Sequence, residues 1–135
     1  MEKLFNTVSV AAGVIGGTLV KMLGGFDITL RALVVMIALD YISGVVKAVS
    51  RKQLSSEAGF KGILRKITIL LVVAASVVIE ELLGGGTAVR EIVIMFYIAN
   101  EGISLLENAA SVSGHIPQKL KDILFQLRGG EDDGK

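Results

Sequence analysis

The chain has 135 residues, more than half of them hydrophobic, with few aromatics and no cysteine. That length sets one domain as the natural reading, and the lack of cysteine excludes disulfides, thiolate metal sites and cysteine nucleophiles. A formal net charge of only +1 gives no overall basicity for nucleic-acid binding, but the charge is segregated. Lys47, Arg51, Lys52, Lys61, Arg65 and Lys66 face one acid, Glu57, whereas Glu80, Glu81, Glu91, Glu101 and Glu107 face one base, Arg90.

Four mostly apolar segments follow one another, which points to an all-α integral membrane protein. The first runs over about 4–26, with Lys21 the charge within its apolar run. A helix of that length spans a hydrocarbon core of roughly 30 Å at 1.5 Å per residue. Lys3 before an apolar run resembles a secretory leader, but no cleavage motif follows, so the segment is read as retained. Ser9, Gly13 and Gly17 recur every four residues on one face, the spacing that lets two membrane helices approach closely; glycine is also simply common in such helices.

Gly24, Gly25 and Asp27 make a turn. The second segment, about 28–46, carries Asp40 well inside an apolar run, and Asp40, Ser43, Lys47 and Arg51 form a polar stripe at helical spacing. An ionised carboxylate in hydrocarbon costs several kcal/mol, about 3 on insertion scales, so it faces a partner helix, water or a pore. Gln53 to Gly62 breaks the pattern. A turn or short interfacial helix is expected there, capped by Ser55 or Ser56 with Glu57 near its positive end, and Phe60, Ile63 and Leu64 touching the membrane. The third segment, about 63–83, has an uninterrupted apolar core from Ile67 to Ile79. Arg65 and Lys66 are expected to snorkel at one end.

Gly84 to Gly86 breaks the chain again, and Thr87 is the expected cap of the fourth segment, about 87–111. Tyr97, Glu101, Ser104, Asn108 and Ser111 alternate at four- and three-residue spacing opposite an apolar face. Asn100 adjoins this stripe. After a break at Ser113 to Pro117, residues 117–128 read as an amphipathic helix that lies on the membrane surface or docks on the bundle. The first 128 residues form a single helical membrane domain in this reading, and 129–135 a disordered charged tail. Four spans are expected, with three as the variant if the first segment is peripheral. Lysine and arginine counts put the basic loop of Lys47, Arg51, Lys52, Lys61, Arg65 and Lys66 in the cytoplasm, with both termini.

No catalytic constellation, cofactor motif or metal cluster is visible, and no enzyme is expected. His115 is the single histidine and sits in a break. Gly84-Gly85-Gly86 lacks the lysine and flanking pattern of a phosphate loop. The polar stripes leave two readings open. Asp40 and Glu101 pair with lysines, hydroxyls or Asn100 inside one bundle, or several copies turn Asp40, Ser43, Tyr97, Asn100, Glu101, Ser104 and Asn108 toward a water-filled pore.

From Leu39-Asp40-Tyr41-Ile42-Ser43-Gly44-Val45 onward the chain resembles the bacteriophage holins of Gram-positive hosts, the toxin secretion/phage lysis holins. The likeness continues through Leu54-Ser55-Ser56, Gly59-Phe60-Lys61-Gly62-Ile63 and Arg65-Lys66. It is strongest at Tyr97-Ile98-Ala99-Asn100-Glu101-Gly102-Ile103-Ser104-Leu105-Leu106-Glu107-Asn108 and ends at Ile116-Pro117-Gln118-Lys119-Leu120-Lys121. It covers about 28–127, and its specificity lies in the order and spacing of these pieces. The resemblance implies a protein that oligomerises in the bacterial cytoplasmic membrane and opens lesions. An endolysin then escapes to the cell wall without forming a stable complex, and the host lyses. Some relatives are associated with toxin release, so a non-lytic export channel for a co-encoded protein is the alternative. The family has no established catalytic residues to carry over. A soluble or peripheral helical bundle is the reading without a membrane.

Overall fold

The computed structural model describes residues 1–129 and consists, over them, of five α-helices with no strand: α1 Glu2–Met22, α2 Ile28–Ser50, α3 Ser56–Leu82, α4 Val89–Ser113 and α5 Gln118–Leu127. The expectation for the charged tail lies, beyond Gly129, outside the described residues.

Each helix boundary has a local cause. α1 stops before Gly24 and Gly25, whose φ values of +86° and +96° fit glycine and end the helix four residues earlier than expected. Asp27 then caps α2, its carboxylate accepting from the Leu30 amide at 3.0 Å. α2 runs four residues past its expected end to Ser50, and the chain turns at Lys52 (φ +55°).

The break expected over 53–62 is much shorter. Ser55 caps α3 by accepting from the Ala58 amide at 3.1 Å, and α3 continues unbroken through Gly59 and Gly62 into the apolar run. Glycine inside a helix costs about 1 kcal/mol. Here both glycines lie against Tyr41 of α2, whose hydroxyl donates to the Gly59 carbonyl at 3.3 Å. A turn-breaking signal in the sequence is thus a packing device in the fold. At the start of α4 the cap is Ala88, with no side-chain cap bond; Thr87 instead donates to Glu80 at 3.5 Å.

α4 is the hub. It packs most extensively on α2, then on α3 and α5. The core is small: Leu30 and Leu33 of α2, Ile69 and Val73 of α3 and Ile94 of α4, flanked by Leu23, Ile37, Val93, Tyr97 and Ile98. The exterior remains apolar, with Val34, Val35, Leu39, Ile42 and Val46 of α2 and Ile67, Leu71, Val78 and Ile79 of α3 all exposed. An apolar surface this extensive exceeds what a monomer tolerates in water and suits lipid.

α1, α2 and α3 are each long and apolar enough to cross a membrane. The segment that falls short is α4, which carries Arg90, Glu91, Glu101 and Glu107; the first segment, the expected weak one, qualifies. α1 has no buried residue. α5 packs on α4 through buried Leu124, which fills the space left by the absent side chain of Gly102; a Cβ there would come within 2.9 Å of it.

Candidate functional site: a buried ion cluster under an open cavity

Three helices each contribute one charged residue at one level. Asp40 lies about ten residues before the end of α2 and Lys66 about ten residues after the start of α3. Antiparallel helices therefore bring the two side by side, roughly 15 Å along the axis from their connecting turn. Glu101 reaches the same level from α4. The Lys66 ammonium donates to Asp40 Oδ2 and to Glu101 Oε2. Both acids are buried and Lys66 nearly so, its side chain 17% exposed.

Asn108 completes the Asp40 site. Its Nδ2 donates to Asp40 Oδ1 at 3.1 Å and to Ser43 Oγ at 3.0 Å, and Ser43 donates in turn to the Asp40 carbonyl at 2.9 Å. Both carboxylate oxygens of Asp40 thus have donors. With every group ionised, the cluster holds two negative charges and one positive. Removing such groups from water is offset only by close pairing and hydrogen bonds, which is what the three helices supply.

The cluster opens into a cavity of about 780 Å³ between α2, α3 and α4. Asp40, Tyr97, Asn100, Glu101, Ser104 and Asn108 line it, together with Tyr41, Lys47, Arg65 and Lys66. The structure therefore brings most of the expected polar stripe onto one cavity within a single chain. Ser43 reaches the site through Asn108.

The basic residues divide. Only Arg51 and Lys52 lie in the α2–α3 turn; Lys47 is on α2, and Lys61, Arg65 and Lys66 are on α3, because α3 begins at Ser56. Lys61 pairs with Glu57 at 3.2 Å on the surface. Lys66 does not snorkel outward but turns into the bundle. Its helical phase carries the reason: Lys66, Ile69, Val73 and Ser76 follow at three- and four-residue spacing, and the last three are the buried residues of α3. That stripe was available in the sequence, where the adjacent Arg65 drew Lys66 into a terminal pair. Ser9, Gly13 and Gly17 meet nothing in the chain: Ser9 is exposed, and a Cβ at Gly13 or Gly17 would have no neighbour within 4 Å.

A second cluster sits at the other end of the bundle, and sequence reasoning missed it. Buried Arg90 of α4 donates through Nε to the Leu23 carbonyl at 2.7 Å and through Nη2 to the Gly25 carbonyl at 3.0 Å. Its guanidinium also holds Asp27 in a fork, at 2.7 Å and 3.2 Å. The Arg90 hydrogen bonds hold the Asp27 carboxyl well below the ordinary carboxylate range, assisted by the Leu30 amide. The clue was Arg90 as the lone base in an acidic stretch. Among the described residues no group of three or more histidine, aspartate or glutamate side chains could hold a metal.

The profile of the bacteriophage holin family matches residues 17–129. An uncharacterized 14.9 kDa protein in the nagH 3′ region of Clostridium perfringens is 41% identical over 128 residues, 94% of this chain and 97% of that one. An uncharacterized Listeria monocytogenes protein is 40% identical over 84% of this chain and 83% of its own length. A Bacillus phage phi105 protein described as a probable holin is 33% identical over 76% of each chain. No solved structure matches the chain.

Proposed function

The chain belongs to the bacteriophage holin family, and from that premise we propose that its copies assemble in the bacterial cytoplasmic membrane into pores or lesions that release an endolysin and so lyse the host. The holin family is not a class of enzymes, and the three long apolar helices agree with a membrane protein. The observation that carries the mechanism is the Asp40–Lys66–Glu101 cluster, charged groups buried in helices whose outer faces are apolar.

In this proposal the single chain is the closed form. Lys66 ties α2, α3 and α4 together by neutralising both acids as far as one ammonium can. On assembly the helices separate on their cavity side, and Asp40, Ser43, Tyr97, Asn100, Glu101, Ser104 and Asn108 become the wet wall of a pore. Water then replaces the ion pairs, so closed and open forms lie close in energy. The membrane potential biases the step, since carrying one charge through 100 mV is worth about 2.3 kcal/mol.

α4 crosses with the other three in this reading, for its buried charges are paired, Arg90 with Asp27 and Glu101 with Lys66, and its exposed Glu91 and Glu107 lie toward its two ends. The end bearing Lys47, Arg51, Lys52, Lys61 and Arg65 faces the cytoplasm, with both termini, and α5 lies near that surface. Ser9, Gly13 and Gly17, unpartnered in one chain, supply close contacts between copies. No cofactor takes part.

The test is expression in bacteria with a reporter endolysin, following membrane potential and release of a cytoplasmic enzyme. Glu101→Gln is expected to shift the time of abrupt lysis at equal expression. Unchanged timing and permeability remove Glu101 from the mechanism. Cargo release from intact, energised cells overturns lysis in favour of export.

A further inference from the structure

The cavity above the ion cluster has a rim of the opposite sign to its acids. Lys47 of α2 and Arg65 of α3 line its walls, and Arg51 and Lys52 sit in the turn directly before the lining residues Gln53, Leu54 and Ser55. Among the described residues none of these four cations has an ion-pair partner within 4.0 Å, whereas Lys61 is already taken by Glu57. The two carboxylates of the floor share the Lys66 ammonium, which leaves one net negative charge beneath the four cations of the rim. Beside the cations, Leu54 lines the same cavity and is 61% exposed. Free cations next to an exposed aliphatic side chain, at the end of membrane-spanning helices, match a headgroup layer above acyl chains. The cavity volume of about 780 Å³ lies in the range of pockets that enclose a small ligand.

We propose that Lys47, Arg51, Lys52 and Arg65 form a binding site for the phosphate headgroup of an anionic phospholipid, with an acyl chain lying along Leu54. The site binds lipid from the leaflet that meets the α2–α3 turn. It rests on the membrane reading above but not on pore opening. A bound headgroup lies over the Lys66 cluster and spans α2 and α3, so lipid charge in that leaflet bears on how readily these helices part.

The full chain in a neutral detergent is offered equimolar phosphatidylglycerol and phosphatidylcholine, and bound lipid is read by native mass spectrometry. Phosphatidylglycerol adducts are expected to exceed phosphatidylcholine adducts about ten-fold or more, with roughly two-fold lost per cation removed. Lys47→Gln, Arg51→Gln, Lys52→Gln and Arg65→Gln together bring the ratio near one. Arg51→Gln with Lys52→Gln, confined to the exposed turn, lowers it without burdening the fold, and Lys47→Arg with Lys52→Arg keeps it. Equal retention of the two lipids by the natural chain overturns the proposal. So does an equal loss on neutralising Lys119, Lys121 and Arg128 of α5. Displacement by inorganic phosphate, but not by chloride of the same ionic strength, reassigns the site to a free anion and overturns the lipid. Insertion into vesicles without lipid preference removes this site alone, whereas failure to insert into any vesicle removes the membrane reading itself.

Discussion

Lys66 is the residue on which the closed bundle depends. It is the one cation between two buried acids on different helices. Lys66→Met is expected to destabilise the protein by about 3–5 kcal/mol, the usual effect of breaking a buried pair from one side. Thermal unfolding in micelles measures it. Adding Asp40→Asn and Glu101→Gln to the same chain should recover much of the loss, since no carboxylate is then left uncompensated. A Lys66→Met protein as stable as the original contradicts the role. Asp27 gives the pH dependence. Its folded-state pKa is depressed by Arg90, so its contribution is present above the unfolded value near 4 and is lost as pH falls from there through the folded value. Protection of the Leu30 amide from exchange, relative to its intrinsic rate at each pH, is expected to hold from neutral pH down to about 4 and to fall below it. In Asp27→Asn, whose amide oxygen can still cap the helix, the protection no longer changes with pH in this range. An unaltered acid profile in the variant removes Asp27 as the cause.

Among the elements, the α1–α2 turn shows how a glycine and an arginine depend on each other. Gly24 has φ +86°, and a Cβ on it would lie 2.3 Å from Arg90 Nε. Gly84 has nearly the same φ, +87°, but open space around it. Gly24→Ala is therefore expected to cost more than Gly84→Ala. Both carry backbone strain of about 1–3 kcal/mol, and only the first also displaces the guanidinium from Leu23 and Gly25. Comparing the two unfolding midpoints isolates the Arg90 contacts, and equal losses would show that the clamp adds nothing. Helix periods and punctuation were legible along the chain: the glycine turns at 24–25 and 84–86, the serine cap at 55 and the proline before α5 all mark real boundaries. Gly59 and Gly62 misled because their value is tertiary. A glycine that admits the Tyr41 ring reads, in one dimension, the same as one that ends a helix.

Across the whole molecule, α1 stands apart while α4 binds everything else. Because α1 buries no residue, Gly13→Leu with Gly17→Leu is expected to leave unfolding of the single chain unchanged or slightly raised, and to reduce chemical crosslinking between copies in vesicles. Crosslinking at the original level would remove the small-residue face from assembly. The amino-acid sequence by itself determined the helical class, the apolar segments and the polar face of α4, because these follow from composition and from periods of three and four residues. It also marked Asp40 and Glu101 as groups that hydrocarbon would not accept alone. Which cation answers them was decided only in three dimensions. A helix face fixes the direction a side chain points, but whether Lys66 reaches lipid headgroups or two carboxylates depends on the register of α3 against α2 and α4. The same holds for Arg90 and Asp27, distant in sequence and joined by the packing of α4 on α2. Charge pairing between helices is set by their relative height and rotation, and neither is written in any one segment.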